Sequence, residues 1–436
     1  MDANAALQRL NSHTESEKFT YFSRMYWTNT ISEEATYRIV RCESPVVSPI
    51  YPPVVFRKQY KVKNVDVEME KRLLLLMGRM NLPNVQTTRY IYHHISGGFL
   101  YLYFDAFECV LSSRISQGRR KYEEMVLWHH FFTLSQTLST LHQVNLYHRN
   151  LSPKAIFERG EELFIGNFDD GIELPNGVSV LQATRRDNLA FHSPQMVLVQ
   201  EHPDMYTYGW AKKEDAWALG RVMLEFAILS TDHAEQLLGM FPSEHKSMEQ
   251  SQTEVSQYVQ SKLQGRYSHY LTEAILALLQ VDHERRPNLQ DFFHSILPRF
   301  YHETTCLQCR VPVRKVWPCP HILCDKCHFT YLREHEQANQ MKHCTCPVNI
   351  DEALIRLLPE QSRFMACGIM HLKEPCENIS CNVWHKLTNI KDEHIVPRYI
   401  QCDCGDSYCS FCHRRKKHTV LRLEVVCGKF STNSKH

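Results

Sequence analysis

The run Val54-Val55-Phe56-Arg57-Lys58-Gln59-Tyr60 reads as a strand, and leucines recurring at helical spacing predict a helix over Val65–Arg79. His93-His94 and His129-His130 read as ordinary strand and helix residues. Residues 243–264 are rich in Ser and Gln and are expected to form a loop or an exposed helix. Later in the chain, Phe329–His335 predicts a short helix, and Ala353-Leu354-Ile355-Arg356-Leu357-Leu358 forms an apolar run. No apolar run approaches the ~18 residues of a membrane span. The first twenty residues lack the apolar core of a signal peptide. A cytoplasmic or nuclear location is therefore expected.

Composition adds two constraints. A chain of 436 residues, 43% hydrophobic, is long enough for two or three domains, each with its own core. A formal charge of +2 argues against general nucleic-acid binding. The 17 cysteines are placed unevenly: Cys42 and Cys109 stand alone, as expected of core thiols, and the other 15 lie between Cys306 and Cys427. Without an export signal, such crowding points to metal binding rather than disulfides. The shift in composition puts a domain boundary near residue 300.

The densest chemistry lies in Tyr147-His148-Arg149-Asn150-Leu151-Ser152-Pro153-Lys154-Ala155-Ile156-Phe157 and, soon after, Ile165-Gly166-Asn167-Phe168-Asp169. The pair resembles the catalytic loop (H-R-D-L-K-P-x-N) and the metal-binding loop (D-F-G) of protein kinases. By that resemblance Asn150 replaces the catalytic Asp, Ser152 the loop Lys, Ala155 the metal-binding Asn and Asn167 the magnesium-binding Asp. Magnesium prefers anionic oxygens; Asn offers a neutral carbonyl and Ala nothing. An amide in place of the catalytic carboxylate cannot accept the substrate's proton. The resemblance thus implies a pseudokinase, with ATP binding not expected.

Further landmarks follow in family order: Phe191-His192-Ser193-Pro194-Gln195 for A-P-E, Lys213-Glu214-Asp215-Ala216-Trp217-Ala218-Leu219-Gly220 for K-x-D-x-W-S-x-G, and Asp282-His283-Glu284-Arg285-Arg286-Pro287 for D-P-x-x-R-P. They imply architectural roles for His148, Arg149, Phe168, Asp215, Trp217 and Arg286, with Gln195 giving Arg286 a neutral partner. Where kinases carry a glycine-rich hairpin over the phosphates, Trp27–Arg38 has no glycine and offers Glu33 and Glu34. Two registers are open for the next strand. Either Val55 faces the adenine position and Arg57 replaces the phosphate-binding Lys, or Lys58 is that Lys and Phe56 fills the pocket. Glu70 is the candidate ion-pairing Glu of the following helix.

From Cys306 the spacing is Cys-x2-Cys-x9-Cys-x-His-x2-Cys-x2-Cys, which suits tetrahedral zinc. It resembles the RING cross-brace, implying one site from Cys306, Cys309, Cys324 and Cys327 and another from Cys319, His321, Cys344 and Cys346. Cys376, Cys381, Cys402, Cys404, Cys409, Cys412, His418 and Cys427 resemble an in-between-RING module. Together these residues would hold three to four zinc ions. The pair resembles part of the RING-between-RING ubiquitin ligases and implies a ubiquitin-conjugating enzyme or ubiquitin as partner. Gln308, where an apolar residue usually grips the conjugating enzyme, and the absence of a second RING in this sequence count against ligase activity.

The expected fold is α+β: a bilobal kinase-like domain over 20–298, a RING-like zinc module over 306–358 and an in-between-RING-like module over 367–427. The expected function is a catalytically inactive scaffold or regulator in ubiquitin signalling. The alternatives are a RING-type ubiquitin ligase presenting substrate on the pseudokinase, and a residual serine/threonine kinase using Asp169 or Asp170 as a displaced metal ligand.

Overall fold

The computed structural model describes residues 14–334 apart from 35, 62–66, 81, 83–84, 118–121, 161, 175–185, 202–210, 231–233, 244, 300–301 and 316–322. Beyond 334 it describes Leu354, Leu357 and the segments 373–375, 384–386, 399–401 and 407–409. The backbone groups into two compact units. The first takes the described residues up to Ser116, then Thr133–Val222 and His283–Gln290; the second takes Gln117–Phe132, Met223–Asp282 and the described residues from Asp291 on.

The first unit opens with the helix Glu15–Phe22, capped by a Thr14/Glu17 box. An antiparallel five-stranded sheet follows: β1 (Tyr26–Glu33), β2 (Tyr37–Glu43), β3 (Val54–Tyr60), β4 (Tyr90–Ser96) and β5 (Phe99–Asp105), in the order β1-β2-β3-β5-β4. The strand expected at Val54–Tyr60 is β3. The helix expected from Val65 runs over Val67–Arg79, between β3 and β4. Phe22, Val40, Cys42, Val55 and Tyr103 pack one face of the sheet. Cys42 is a core thiol as expected, whereas Cys109 is only partly buried. Below the sheet lie a small sheet of Cys109–Val110, Ile156–Arg159 and Glu162–Ile165 and the loops that carry the kinase-like motifs.

The second unit is mainly helical. The buried Glu124 carboxylate accepts from Trp128 Nε1 (3.1 Å) and from the Ser268 backbone N–H (2.7 Å), so a buried charge is fully hydrogen-bonded. Of the loop or exposed helix expected at 243–264, the helix is present, but only one side of it is exposed. Met248–Leu263 is a helix that buries Ser251, Val255, Tyr258, Val259 and Leu263. Those residues form a stripe at helical spacing that the surrounding Ser and Gln obscure. The short helix expected at Phe329 begins earlier and spans Asp325–Glu334. Leu354 and Leu357 of the apolar run are buried. Among the described residues no helix is long and apolar enough to cross a membrane.

Burial of two histidines makes stability depend on pH. Desolvation, aided by His129, pushes His130 down to about 4, and desolvation with Arg57 and His93 does the same to His94. An unfolded histidine takes its proton near 6.5, so between that pH and about 4 the unfolded chain binds more protons. Stability is full above pH 6.5 and falls through this window. For His130, 6% exposed, the loss is on the order of 3 kcal/mol. Melting temperatures across this range should drop for the wild type and drop less for His130→Leu.

Candidate functional site

The motif-bearing loops converge on one buried polar cluster. Asp215 organises the first loop: its carboxylate accepts the backbone N–H of His148 (2.8 Å) and Arg149 (2.7 Å) and contacts His142 Nε2 at 2.9 Å. Burial alone would raise the Asp215 pKa, but the hydrogen bond and charge of His142 and the approach of His148 hold it below its usual value. His148 sits 2.9 Å from the Gly166 carbonyl and packs on the Phe168 ring. Gly166 must be glycine, since a Cβ there would lie 2.6 Å from the Thr88 side chain. Arg286 donates to Gln195 Oε1 at 2.9 Å, the neutral pairing the sequence suggested, and its guanidinium lies over the Trp217 ring.

The four positions that the resemblance singles out, Asn150, Ser152, Ala155 and Asn167, all lie in this cluster. The Asn150 amide donates to Asp170 Oδ2 at 2.7 Å. Ser152 and Ala155 are buried; the Ala155 N–H donates to the Ser152 carbonyl (2.9 Å) and its carbonyl accepts the Gly166 N–H (2.8 Å). Asn167 holds a left-handed backbone (φ 59°), which Asn tolerates better than most residues. Its Nδ2 donates to Tyr37 Oη at 2.9 Å.

Lys58 settles the register of β3. Its ammonium donates to Asn167 Oδ1 and forms a buried ion pair with Asp169 Oδ2. Tyr60 Oη donates to the other Asp169 oxygen at 2.7 Å, and the Lys58 ammonium lies 3.9 Å from the Tyr37 ring centroid. Arg72, on the helix Val67–Arg79, donates to the Asp169 carbonyl at 2.9 Å. The Glu70 side chain lies outside the described residues. With Lys58 in this register, Phe56 lines the same small cavity as Lys58 and is 1% exposed. Phe56, Phe104, Phe107 and Phe157 help close a cavity of about 10 Å³ of water-accessible space. That is room for about one water molecule, whereas pockets for drug-sized ligands run to about 300–1,000 Å³.

Two pairings in this cluster are not evident from the sequence alone. Asp169, a displaced metal ligand in the residual-kinase alternative, partners Lys58. Across the cleft, Glu34 Oε2 meets Lys154 Nζ at 2.9 Å. The pair ties the hairpin that carries Glu34 to the loop that carries Lys154. The signal was present: a lysine two residues past the lost one, and a glutamate in the hairpin.

The second candidate site is a metal centre. His302–Thr305 and Pro312–Lys315 pair as a hairpin whose turn carries Cys306 and Cys309. The Cys306 N–H donates to the Val311 carbonyl (2.8 Å), and Arg310 takes a left-handed φ of 63° to close the turn. Cys324 and Cys327 sit at the start of the helix Asp325–Glu334. The sulfurs of Cys306, Cys309, Cys324 and Cys327 all lie within 4.8 Å of one another. A tetrahedral zinc at ~2.3 Å from each sulfur needs sulfurs about 3.8 Å apart, so the group fits one ion. Burial raises the Cys306 pKa, but the N–H groups of Cys309, Cys324 and Gln308 outweigh it and bring the thiol down to about 6, toward the ligating thiolate.

Cys319, His321, Cys344, Cys346, Cys376, Cys381, Cys402, Cys404, Cys412, His418 and Cys427 lie outside the described residues. Cys409 ends the strand Ser407–Cys409.

Sheet order, motif-bearing loops and the Lys58–Asp169 ion pair together support a protein-kinase-like fold of the α+β class, accompanied by a four-cysteine group that could hold one zinc. A probable serine/threonine-protein kinase, nek2, of Dictyostelium discoideum is 24% identical over 208 residues, 46% of this chain and 42% of that protein. The match therefore spans less than half of either chain. No family model matches the sequence.

Proposed function

We propose that this chain is a kinase-like binding protein that does not transfer phosphate: a scaffold or regulator whose kinase-like domain, 20–298, is joined to zinc-binding RING-like (306–358) and in-between-RING-like (367–427) modules and works in ubiquitin signalling. The single observation that supports the kinase half of this reading is the closed cluster around Lys58, which we read as a nucleotide site filled by the chain itself. Phe56 takes the adenine position, Asp169 engages Lys58, and Glu34 reaches Lys154. The losses at Asn150, Ser152, Ala155 and Asn167 remove the chemistry as well. Asp169 and Asp170, the substitutes a residual kinase would need for magnesium, are engaged by Lys58 and Asn150. The cysteine spacing and the Cys306–Cys327 group support the zinc-binding half. One observation speaks for the ligase alternative: Leu307 and Val311 are exposed apolar residues beside Gln308 on the zinc-site turn.

The test is nucleotide binding. Millimolar ATP with a micromolar Kd would stabilise the fold by roughly 4 kcal/mol. The melting temperature should stay unchanged with ATP and magnesium. A rise that a chelator abolishes overturns the reading.

A further inference from the structure

The chain contains four Ser-Pro dipeptides, at Ser44, Ser48, Ser152 and Ser193. Proline-directed protein kinases act on this dipeptide, and the fold discriminates sharply among the four. Ser152 and Ser193 are each 1% exposed, so neither reaches another enzyme's active site. Ser44 directly follows β2. Glu43 before it pairs with Val54, the Ser44 N–H donates to the Pro53 carbonyl at 2.8 Å, and its hydroxyl donates to the Val46 carbonyl at 2.9 Å. The segment leading into Ser44 is thus committed to the sheet, and its hydroxyl proton is already used.

Ser48 differs on each count. It lies in the connection from β2 to β3, with Pro45, Val46 and Val47 before it and Pro49 after it all exposed, Val47 at 94%. Pro49 biases Ser48 to the extended backbone that a kinase groove takes. The Ser48 oxygen accepts the N–H groups of Ile50 (3.2 Å) and Tyr51 (3.1 Å), and among the described residues its hydroxyl proton has no acceptor. The residue also borders an open groove of about 440 Å³ of water-accessible space between this loop and the helix Glu15–Phe22. Arg24 lines that groove as its cation and Glu17 as its anion.

We propose that Ser48 is a phosphoacceptor for a proline-directed protein kinase, and that the phosphate ties the loop down through the Ile50 and Tyr51 N–H groups and Arg24. The γ-phosphorus of ATP held by the modifying kinase bonds to Ser48 Oγ. The bond to the β-phosphate oxygen breaks, ADP leaves, and the hydroxyl proton passes to that kinase's catalytic carboxylate. A phosphate carries a charge of about −1.5 to −2 and three strong acceptor oxygens, so Arg24 outweighs the repulsion from Glu17 only by direct pairing.

The experiment treats the intact chain with a mitogen-activated-type kinase and ATP–magnesium, alongside a synthetic peptide of residues 40–56, and maps phosphate by mass spectrometry. In the folded chain Ser48 should be modified about tenfold or more faster than Ser44, because the acceptor geometry is available only there. Ser152 and Ser193 should stay unmodified, and the peptide should take phosphate at Ser44 and Ser48 at similar rates. Ser48→Ala should abolish rapid incorporation. Phosphorylation should raise the melting temperature of the wild type and not of Arg24→Ala. Modification of Ser48 in the peptide but not in the folded chain overturns the proposal, as does a folded chain in which Ser44 leads. A melting shift unaffected by Arg24→Ala overturns the role given to Arg24.

Discussion

Cys324→Ala should cost the chain one zinc equivalent and unfold the cysteine-rich module, while the melting transition of the kinase-like sheet persists. The turn at Cys306–Cys309 and the start of the helix Asp325–Glu334 are brought within 4.8 Å at their sulfurs, and four thiolates at that spacing repel unless a cation sits among them. In small zinc modules the ion supplies about 10–16 kcal/mol at neutral pH, which is folding free energy. Removing one of four ligands leaves three thiolates and an open coordination position. The sheet core of Phe22, Val40, Val55 and Tyr103 is built without metal. Elemental analysis of the wild type against the variant, with calorimetry of both, checks the expectation. A variant that keeps its full zinc content, or one whose two transitions vanish together, contradicts it.

The legible part of this chain was whatever depends on spacing. Motif order placed the catalytic-type loop, the Asp215 helix start and Arg286 relative to each other, and contacts such as Arg286 to Gln195 follow from that order. Cysteine spacing grouped Cys306 with Cys309, Cys324 and Cys327, and their sulfurs do lie together, because a pair on a turn and a pair at a helix start can face one point. The register of β3 was not legible. Val55 and Phe56 are both apolar, and Arg57 and Lys58 are both cationic, so a shift of one residue exchanges faces without changing the pattern. Only the partner of the inward cation decides it, and that partner, Asp169, lies 111 residues away. The buried side of the Met248–Leu263 helix was not legible for another reason: its composition is polar, while its burial depends on five positions on one stripe.

The second large effect should come from Lys58, and its sign separates this site from a catalytic one. In a working nucleotide site the corresponding lysine serves the ligand. Here Lys58 and Asp169 are 1% and 3% exposed and pair with each other. Removing one partner of a buried pair strands the other charge without water, at a cost of about 3–5 kcal/mol. Lys58→Met should therefore lower the denaturant midpoint strongly, and Asp169→Leu should do the same by stranding Lys58. The double variant removes both charges and should recover most of the loss, because apolar side chains of similar size are often neutral replacements for a buried pair. Recovery should stop short of complete, since Tyr60 Oη loses its acceptor and Asn167 Oδ1 its donor. Additive losses in the double variant would mean that the two residues act separately, and the ion pair would no longer account for the closed site.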